Sequence, residues 1–172
     1  MTTDSPTASG HVTIVFMSDW GVSTGVGQAG RTHSTIERSN GKPVVRGTII
    51  TGVLREQAMV AAEAFDRAMG SSGEHWKEFA LWLFGQDPNS EPGSTPHPRH
   101  VLFTDATPAS KIPIHDTVSL SIDPQTGTAR DQFLRFTERA APGVLTGTFT
   151  LIDEAGAETS DQETIKAAHF LL

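Results

Sequence analysis

The chain has 172 residues and a formal net charge of −7, with 13 basic and 20 acidic side chains. That length suits one domain with a hydrophobic core and is short for two, and the negative charge argues against a general nucleic-acid-binding protein, because phosphate binding depends on lysine and arginine. The sequence contains no cysteine, which excludes disulfides, thiolate metal sites and cysteine catalysis.

The sequence shows no pattern for export or for insertion into a membrane. No apolar run approaches the roughly 20 residues of a membrane-spanning helix. The polar, acidic start of the chain lacks the layout of a signal peptide. We therefore expect a cytoplasmic protein without a membrane partner.

The start of the chain predicts an arm, a strand and a loop. Residues 1–10 are expected to form a flexible arm ahead of a single domain at 11–172. Residues 11–17 alternate and are rich in β-branched side chains, which predicts a central strand. Residues 21–30 are rich in glycine and predict a loop.

A hairpin and two helices are predicted next. Residues 31–46 resemble an irregular hairpin whose turn lies at 39–42, because an Asn-Gly pair adopts positive φ at little cost. Thr48 is the expected N-cap of a helix over 49–69. A second helix is predicted over 73–85, where aromatic and aliphatic residues recur at helical spacing.

The second half predicts further strands and a last helix. Four prolines in 86–99 predict a flexible loop, and a short strand follows at 100–106. Residues 114–138 form a long predicted hairpin, and 143–153 form another strand. A final helix is capped near Ser160, with acidic residues suited to its dipole. In the hairpin, the side chains expected in the core are Leu120, Ile122, Phe133, Leu134 and Phe136.

This order of elements predicts an α+β, ferredoxin-like (RRM-like) fold with an inserted hairpin and without its last strand. A three-stranded remnant would leave one sheet edge open, and proteins normally cover such edges. We therefore expect a continuation of the chain or a separate chain to complete the sheet.

Basic residues are concentrated in one segment. Residues 31–55 contain five basic residues and one acidic residue, a balance of +4, whereas the remainder carries 8 basic and 19 acidic residues, a balance of −11. A basic island on an acidic body suits a localised anion site. A solvated hairpin with a chance cluster of charge explains the same pattern.

The glycine-rich loop has a composition that lets a backbone approach an anion. Gly21, Gly25, Gly27 and Gly30 have no side chain to hold their N–H groups away from a phosphate. The helix start that follows adds unpaired N–H donors and a positive dipole end. The loop lacks the Gly-Lys-Ser/Thr of a nucleotide P-loop. By themselves these glycines leave phosphate binding and a plain surface loop both open.

Several motifs, in a fixed order over residues 17–152, resemble the RAMP superfamily of CRISPR-associated proteins, and among them the repeat-associated subunits of type III effector complexes. The segments "LFG" at 83–85 and "VLFTDA" at 101–106 are similar to two family landmarks, and "IDPQTGTA" at 122–129 is similar to a part of the family's later hairpin. The residues that match the family's early motif are Gly41, Pro43, Val45, Gly47, Thr48, Thr51, Gly52, Leu54 and Arg55.

The resemblance implies a RAMP fold and an RNA-binding role in antiviral defence. The chain would hold the backbone of the guide RNA, with target RNA and other effector subunits as partners, and the hairpin at 114–138 would act as a thumb between guide and target. Arg46 stands where many members have proline, and Thr51 where many have lysine, so Arg46 would replace part of a phosphate contact. The residues expected to contact RNA are Gly25, Gly27, Gly30, Arg31, Arg38, Lys42, Arg46, Gly47, Thr48, Thr51, Arg55 and Arg130.

The resemblance also implies that the chain is the N-terminal portion of a RAMP protein, or one half of a split one. The family's glycine-rich segment after the second helix has no counterpart before residue 172.

Two other functions stay open. Asp19 is a candidate carboxylate for a metal-dependent endoribonuclease, which would use Mg²⁺, and His33 is a candidate acid or base for cleavage without a metal. His97 and His100 have no evident third ligand, so no metal site is expected from them. The remaining alternative is a structural subunit that does not touch RNA.

Overall fold

The computed structural model describes residues 7–27, 34–70, 75–85, 97–128 and 134–172. Its elements in chain order are β1 (Ser9–Phe16), β2 (Arg38–Ser39), β3 (Lys42–Pro43), α1 (Gly47–Ala68), α2 (His75–Phe84), β4 (Val101–Phe103), β5 (Thr107–Pro108), β6 (Ile114–Ser119), β7 (Arg135–Ala140), β8 (Gly143–Leu151) and α3 (Gln162–Leu171). Within these ranges, none of the helices combines the length and the apolar composition that a membrane span requires.

The larger sheet contains β1, β8 and β4 in that order, and β5 also pairs with β8. Strands β4 and β8 run antiparallel, with Val101 opposite Leu151. Strands β2 and β3 form one two-stranded sheet, and β6 and β7 form another. The predicted mixture of helices and antiparallel sheets is therefore confirmed.

The chain divides into two compact units. The first comprises Met1–Val12, Arg46–Asp105 and Gly147–Leu172, and the second comprises Thr13–Val45 and Ala106–Thr146. All three of the helices named above belong to the first unit, and both two-stranded sheets belong to the second.

In the first unit, the helices bury their apolar faces together with β4 and β8. Alanines at the buried positions of α1 and α2 let the two helices approach closely, since an alanine side chain is a single methyl group. The buried members of this core are Ala8, Ala58, Ala62, Ala80, Leu83, Phe84, Val101, Phe149, Leu151, Ile165, Ala168 and Leu171.

In the second unit, Trp20 is part of the core. Its side chain is 5% exposed, its indole N–H donates to the Ala141 carbonyl at 3.1 Å, and its ring stacks on Phe16 at a centroid distance of 4.2 Å. The backbone of Trp20 also exchanges two hydrogen bonds with Ala140. These contacts fix the segment that follows β1 against β7.

The predicted turn at 39–42 is confirmed. Arg38 lies opposite Pro43 and Ser39 opposite Lys42, and the two residues between them have φ of +50° at Asn40 and +76° at Gly41. Two successive positive φ values are the geometry that an Asn-Gly pair accommodates in a tight hairpin.

The predicted N-cap of α1 is wrong by two residues, whereas the cap predicted near Ser160 is confirmed at the next residue. The N-cap of α1 is Arg46 rather than Thr48, and its side chain makes no capping bond. The N-cap of α3 is Asp161 rather than Ser160, and its carboxylate accepts hydrogen bonds from the N–H groups of the second and third helical residues. An aspartate can satisfy these amides as a serine can, so the sequence allowed either position.

Three hairpin side chains expected in the core are exposed. The exposed fractions are 53% for Leu120, 60% for Ile122 and 46% for Leu134. The paired strands end at Ser119 on one side and begin at Arg135 on the other, so these residues lie beyond the ladder. The core prediction for them is wrong, because alternation alone does not show that a second layer covers the strand.

Candidate nucleic-acid interface

A carboxylate from the chain itself lies at the start of α1. The Asp105 carboxylate accepts a hydrogen bond from the Gly47 N–H at 2.9 Å and another from the Arg46 guanidinium at 2.8 Å. This carboxylate does what an N-cap side chain ordinarily does, from a residue 58 positions along the chain. The first helical N–H is therefore already satisfied, and a phosphate at this end would have to contact other groups.

Gly47 has no room for a side chain. A Cβ built on it would lie 2.1 Å from the Phe103 carbonyl oxygen and 2.9 Å from the Phe103 carbonyl carbon. The close approach of the two backbones thus explains a glycine at this position of the motif.

We expect Asp105→Asn to lower stability near neutral pH and to have less effect in acid. The Gly47 N–H, followed by the Arg46 guanidinium, holds the pKa of the Asp105 carboxyl below its ordinary value of 3.8. A lowered pKa stabilises the fold above pH 3.8, and this contribution is lost as the pH falls through the folded-state value. The effect is modest, because the side chain is 40% exposed.

Urea unfolding of both proteins at pH 7 and pH 3 tests this expectation. The difference in free energy of unfolding should shrink at pH 3. An equal difference at both pH values would show that the charge of Asp105 plays no part in capping α1.

The other predicted residues on α1 differ in accessibility. Thr48 is exposed and Arg55 is partly exposed, whereas Thr51 is 8% exposed. The Thr51 hydroxyl donates to the Gly47 carbonyl at 2.7 Å. The Thr51 hydroxyl is thus already bonded inside the helix. Solvent reaches two polar side chains of this turn, those of Thr48 and of Arg46, which is 41% exposed.

Short polar side chains make hydrogen bonds to the backbone of the described part of the glycine-rich loop. Gly25 has φ of +74°, which favours glycine, and its N–H donates to the Ser23 hydroxyl at 3.0 Å. The Val26 N–H donates to the Thr24 hydroxyl at 3.1 Å. Gly25 and Gly27 are both exposed, but the N–H of Gly25 is not open to an anion unless the serine moves.

Arg38 and Lys42 each make contacts within the second unit. Arg38 pairs with the buried Glu138 at 2.9 Å, and that carboxylate also accepts from the Ile36 N–H at 3.1 Å. The Lys42 ammonium donates to the carbonyls of Pro108 and Ala109, each at 3.2 Å. Both cations therefore have a structural role, and their contact with RNA stays a prediction.

Several predicted residues lie outside the described residues. Among the proposed RNA contacts these are Gly30, Arg31 and Arg130, and among the other candidates they are His33 and Phe133. Residues 86–96 of the predicted flexible loop and residues 1–6 of the predicted arm also lie outside, whereas β1 begins at Ser9.

The structure pairs Asp19 with a residue that the sequence interpretation missed. The Asp19 carboxylate lies 3.0 Å from His115 Nε2, and the two side chains are 47% and 43% exposed. The residues are 96 positions apart, and no motif connects them. Within the described ranges, no group of three or more His, Cys, Asp or Glu side chains is arranged to hold a metal ion.

Comparisons with known proteins agree with this fold. The family model of the RAMP superfamily matches residues 13–169. No curated protein matches the sequence.

Two solved structures illustrate the likeness. A chain of the type III-B Cmr-beta complex in its apo state has a TM-score of 0.66 at 9% identity, over 95% of this chain and 88% of that one. A chain of the type III-B Cmr-beta complex bound to cognate target RNA has a TM-score of 0.64 at 8% identity, over 95% and 89%. At these identities the likeness is one of fold. Together with a family match over most of the sequence, it confirms the resemblance seen in the motifs: this chain belongs to the RAMP superfamily.

Proposed function

We propose that the chain is an RNA-binding subunit of a type III CRISPR effector complex and that it holds the backbone of the guide RNA. The observation that carries this proposal is the likeness of fold over 95% of the chain to chains of type III-B complexes, one of them bound to target RNA. Guide RNA, target RNA and other effector subunits are the partners this role requires.

The exposed first turn of α1 is the best place for a phosphate contact. The Arg46 side chain is 41% exposed although it pairs with Asp105, and a guanidinium has five N–H donors in a planar fork. Thr48, two residues further along in the same turn, is exposed and carries a hydroxyl. Arg55 lies on the same helix, and within the described residues no carboxylate is at ion-pair distance from it. The pairing with Asp105 limits the net charge of the turn but fixes the direction of the guanidinium.

Binding of this kind is sensitive to salt and nearly indifferent to base sequence, because phosphates carry no sequence information. The test is retention of the guide by assembled complexes at increasing salt, with two guides of unrelated spacer sequence. We expect both guides to be released at the same salt concentration. Release of one guide at a much lower concentration would show base recognition and would contradict the proposal.

We also propose that β1, α1, β4, β8 and α3 form a ferredoxin-like unit to which a further strand pairs along β1. The sheet order β1-β8-β4 supports this, since it leaves β1 at one end. The strand would come from a continuation of this chain or from another chain. Amide hydrogen exchange of β1 should slow on assembly. Unchanged exchange would exclude the added strand.

A second candidate function is target-RNA cleavage at Asp19, which the contact with His115 favours. The hydrogen bond from His115 would orient the Asp19 carboxylate. The half-exposed Asp19 could then serve as one ligand of Mg²⁺, and RNA phosphates and water would supply the other ligands. Bound there, the metal would stabilise charge on the phosphate.

For this candidate we expect Asp19→Asn to lower target cleavage by at least about a hundredfold while assembly is unchanged. Asp116→Asn, on the same strand as His115, is the matched control. Full cleavage by the Asp19 variant would remove Asp19 from the chemistry.

A further inference from the structure

A concave site in the first unit is lined by residues that are not among the proposed RNA contacts. Its volume is about 490 Å³, within the range of sites that bind small groups. The lining residues that matter here are Glu78, Leu81 and Trp82 of α2, together with His100 and Glu154.

Two stacked rings form one wall of this cavity. The rings of Trp82 and His100 are 4.1 Å apart and within 8° of parallel. Stacking is a favourable arrangement of two flat rings, so this wall offers an aromatic face.

One ring nitrogen of His100 has no hydrogen-bond partner among the described residues. The side chain is 5% exposed, and its Nδ1 lies 3.1 Å from the Ile152 carbonyl. A carbonyl only accepts, so Nδ1 carries the proton, and in the neutral ring Nε2 is an acceptor. Within the described part of the chain, no donor is bonded to Nε2. A buried acceptor in a cavity wall favours a ligand that donates a hydrogen bond to it.

The charge of the cavity selects the kind of ligand. Glu78 and Glu154 are exposed carboxylates in the lining. The other titratable residues of the described lining are His97 and His100, and it contains no lysine or arginine. Carboxylates, an imidazole acceptor and an aromatic face together bind a cation that carries several N–H donors. The same carboxylates repel phosphates, so a nucleic-acid backbone is a poor occupant.

We propose that this cavity binds an arginine side chain of a neighbouring protein subunit. Arginine fits better than lysine, because a planar guanidinium stacks on an aromatic ring and donates to two carboxylates and an imidazole at once. Arginine is also among the residues enriched at protein–protein contacts. The inference does not depend on RNA binding, since it concerns other residues and another class of ligand.

The test is a titration of the full chain with the peptide acetyl-Gly-Arg-Gly-amide, followed through the NMR signal of the Trp82 indole N–H. The matched peptide has citrulline in place of arginine, which keeps the shape and removes the charge. We expect saturable shifts with a Kd in the range of about 1–10 mM for the arginine peptide, and at least about tenfold weaker binding for the citrulline peptide.

Two protein variants complete the experiment. Glu78→Gln combined with Glu154→Gln should weaken the binding of the arginine peptide by about tenfold or more. Glu63→Gln removes a carboxylate that pairs with Arg67 on α1 instead and should leave binding unchanged. Far-ultraviolet circular dichroism of each variant checks that it is folded.

Three results would overturn the inference: no shift of the Trp82 signal with the arginine peptide, equal affinity for the citrulline peptide, or unchanged affinity in the double variant. Shifts of the same signal by single-stranded RNA would also overturn it, in favour of a nucleic-acid occupant. None of these outcomes bears on the contacts of Arg46 and Arg55, so the two proposals fail separately.

Discussion

Gly47→Ala is expected to lower the free energy of unfolding by about 3 kcal/mol or more. The added Cβ would lie 2.1 Å from the Phe103 carbonyl oxygen, far inside van der Waals contact. Both groups belong to backbone, one at the start of α1 and one at the end of β4, so neither can turn aside as a flexible side chain would. To admit the methyl group, the helix has to move away from the strand, and the bond from the Gly47 N–H to Asp105 is then strained as well.

Gly52→Ala is the matched control, because it makes the same change five residues further along the same helix. A Cβ at Gly52 meets no atom within 4 Å, and alanine is favoured over glycine inside a helix by about 0.5–1 kcal/mol. Chemical denaturation should therefore show Gly47→Ala destabilised and Gly52→Ala unchanged or slightly stabilised. Similar stability of the two variants would contradict the close approach of α1 and β4.

Removing two guanidinium groups from α1 is expected to weaken binding of the guide RNA about tenfold near 0.15 M salt. The logarithm of the binding constant falls as the logarithm of the salt concentration rises. Each lost phosphate contact on a single strand makes this slope shallower by about 0.7. Arg46→Gln combined with Arg55→Gln should therefore reduce the slope by about 1.4. Glutamine keeps a polar side chain that can donate hydrogen bonds, although it is shorter than arginine, and it removes the positive charge.

Arg67→Gln is the control for this pair, since it removes a positive charge from the last turn of the same helix. Arg67 pairs with Glu63 at 3.1 Å and is not a proposed contact, so its variant should keep the full slope. Because Arg46 also pairs with Asp105, unfolding of the double variant has to be measured alongside. An unchanged slope in a folded double variant would remove Arg46 and Arg55 from the RNA interface.

Local features of the fold could be predicted from the sequence, and distant pairs could not. The turn at Asn40 and Gly41 follows from the conformations that these two residues favour. The prediction from the sequence starts α1 two residues late, because Asp105, which caps the helix, lies 58 positions away. No local pattern connects the two, and Thr48 is the nearest residue with capping chemistry.

The same limit applies to the candidate sites. The charge of 31–55 indicated a basic surface, but the ion pairs of Arg38 and Arg46 with Glu138 and Asp105 become visible only once the chain is folded. The contact of Asp19 with His115 joins the end of one strand to a strand about a hundred residues later, and spacing alone does not predict which histidine meets a carboxylate.

The central claim, that this chain holds guide-RNA backbone near the start of α1, is tested most directly by crosslinking inside the assembled complex. Ultraviolet crosslinking followed by mass spectrometry identifies the peptides of this chain that carry a nucleotide. We expect crosslinked guide nucleotides on peptides that contain Arg46 to Arg55, at positions in the guide that do not change with its sequence. Complexes that retain guide RNA but give no nucleotide on these peptides would contradict the account.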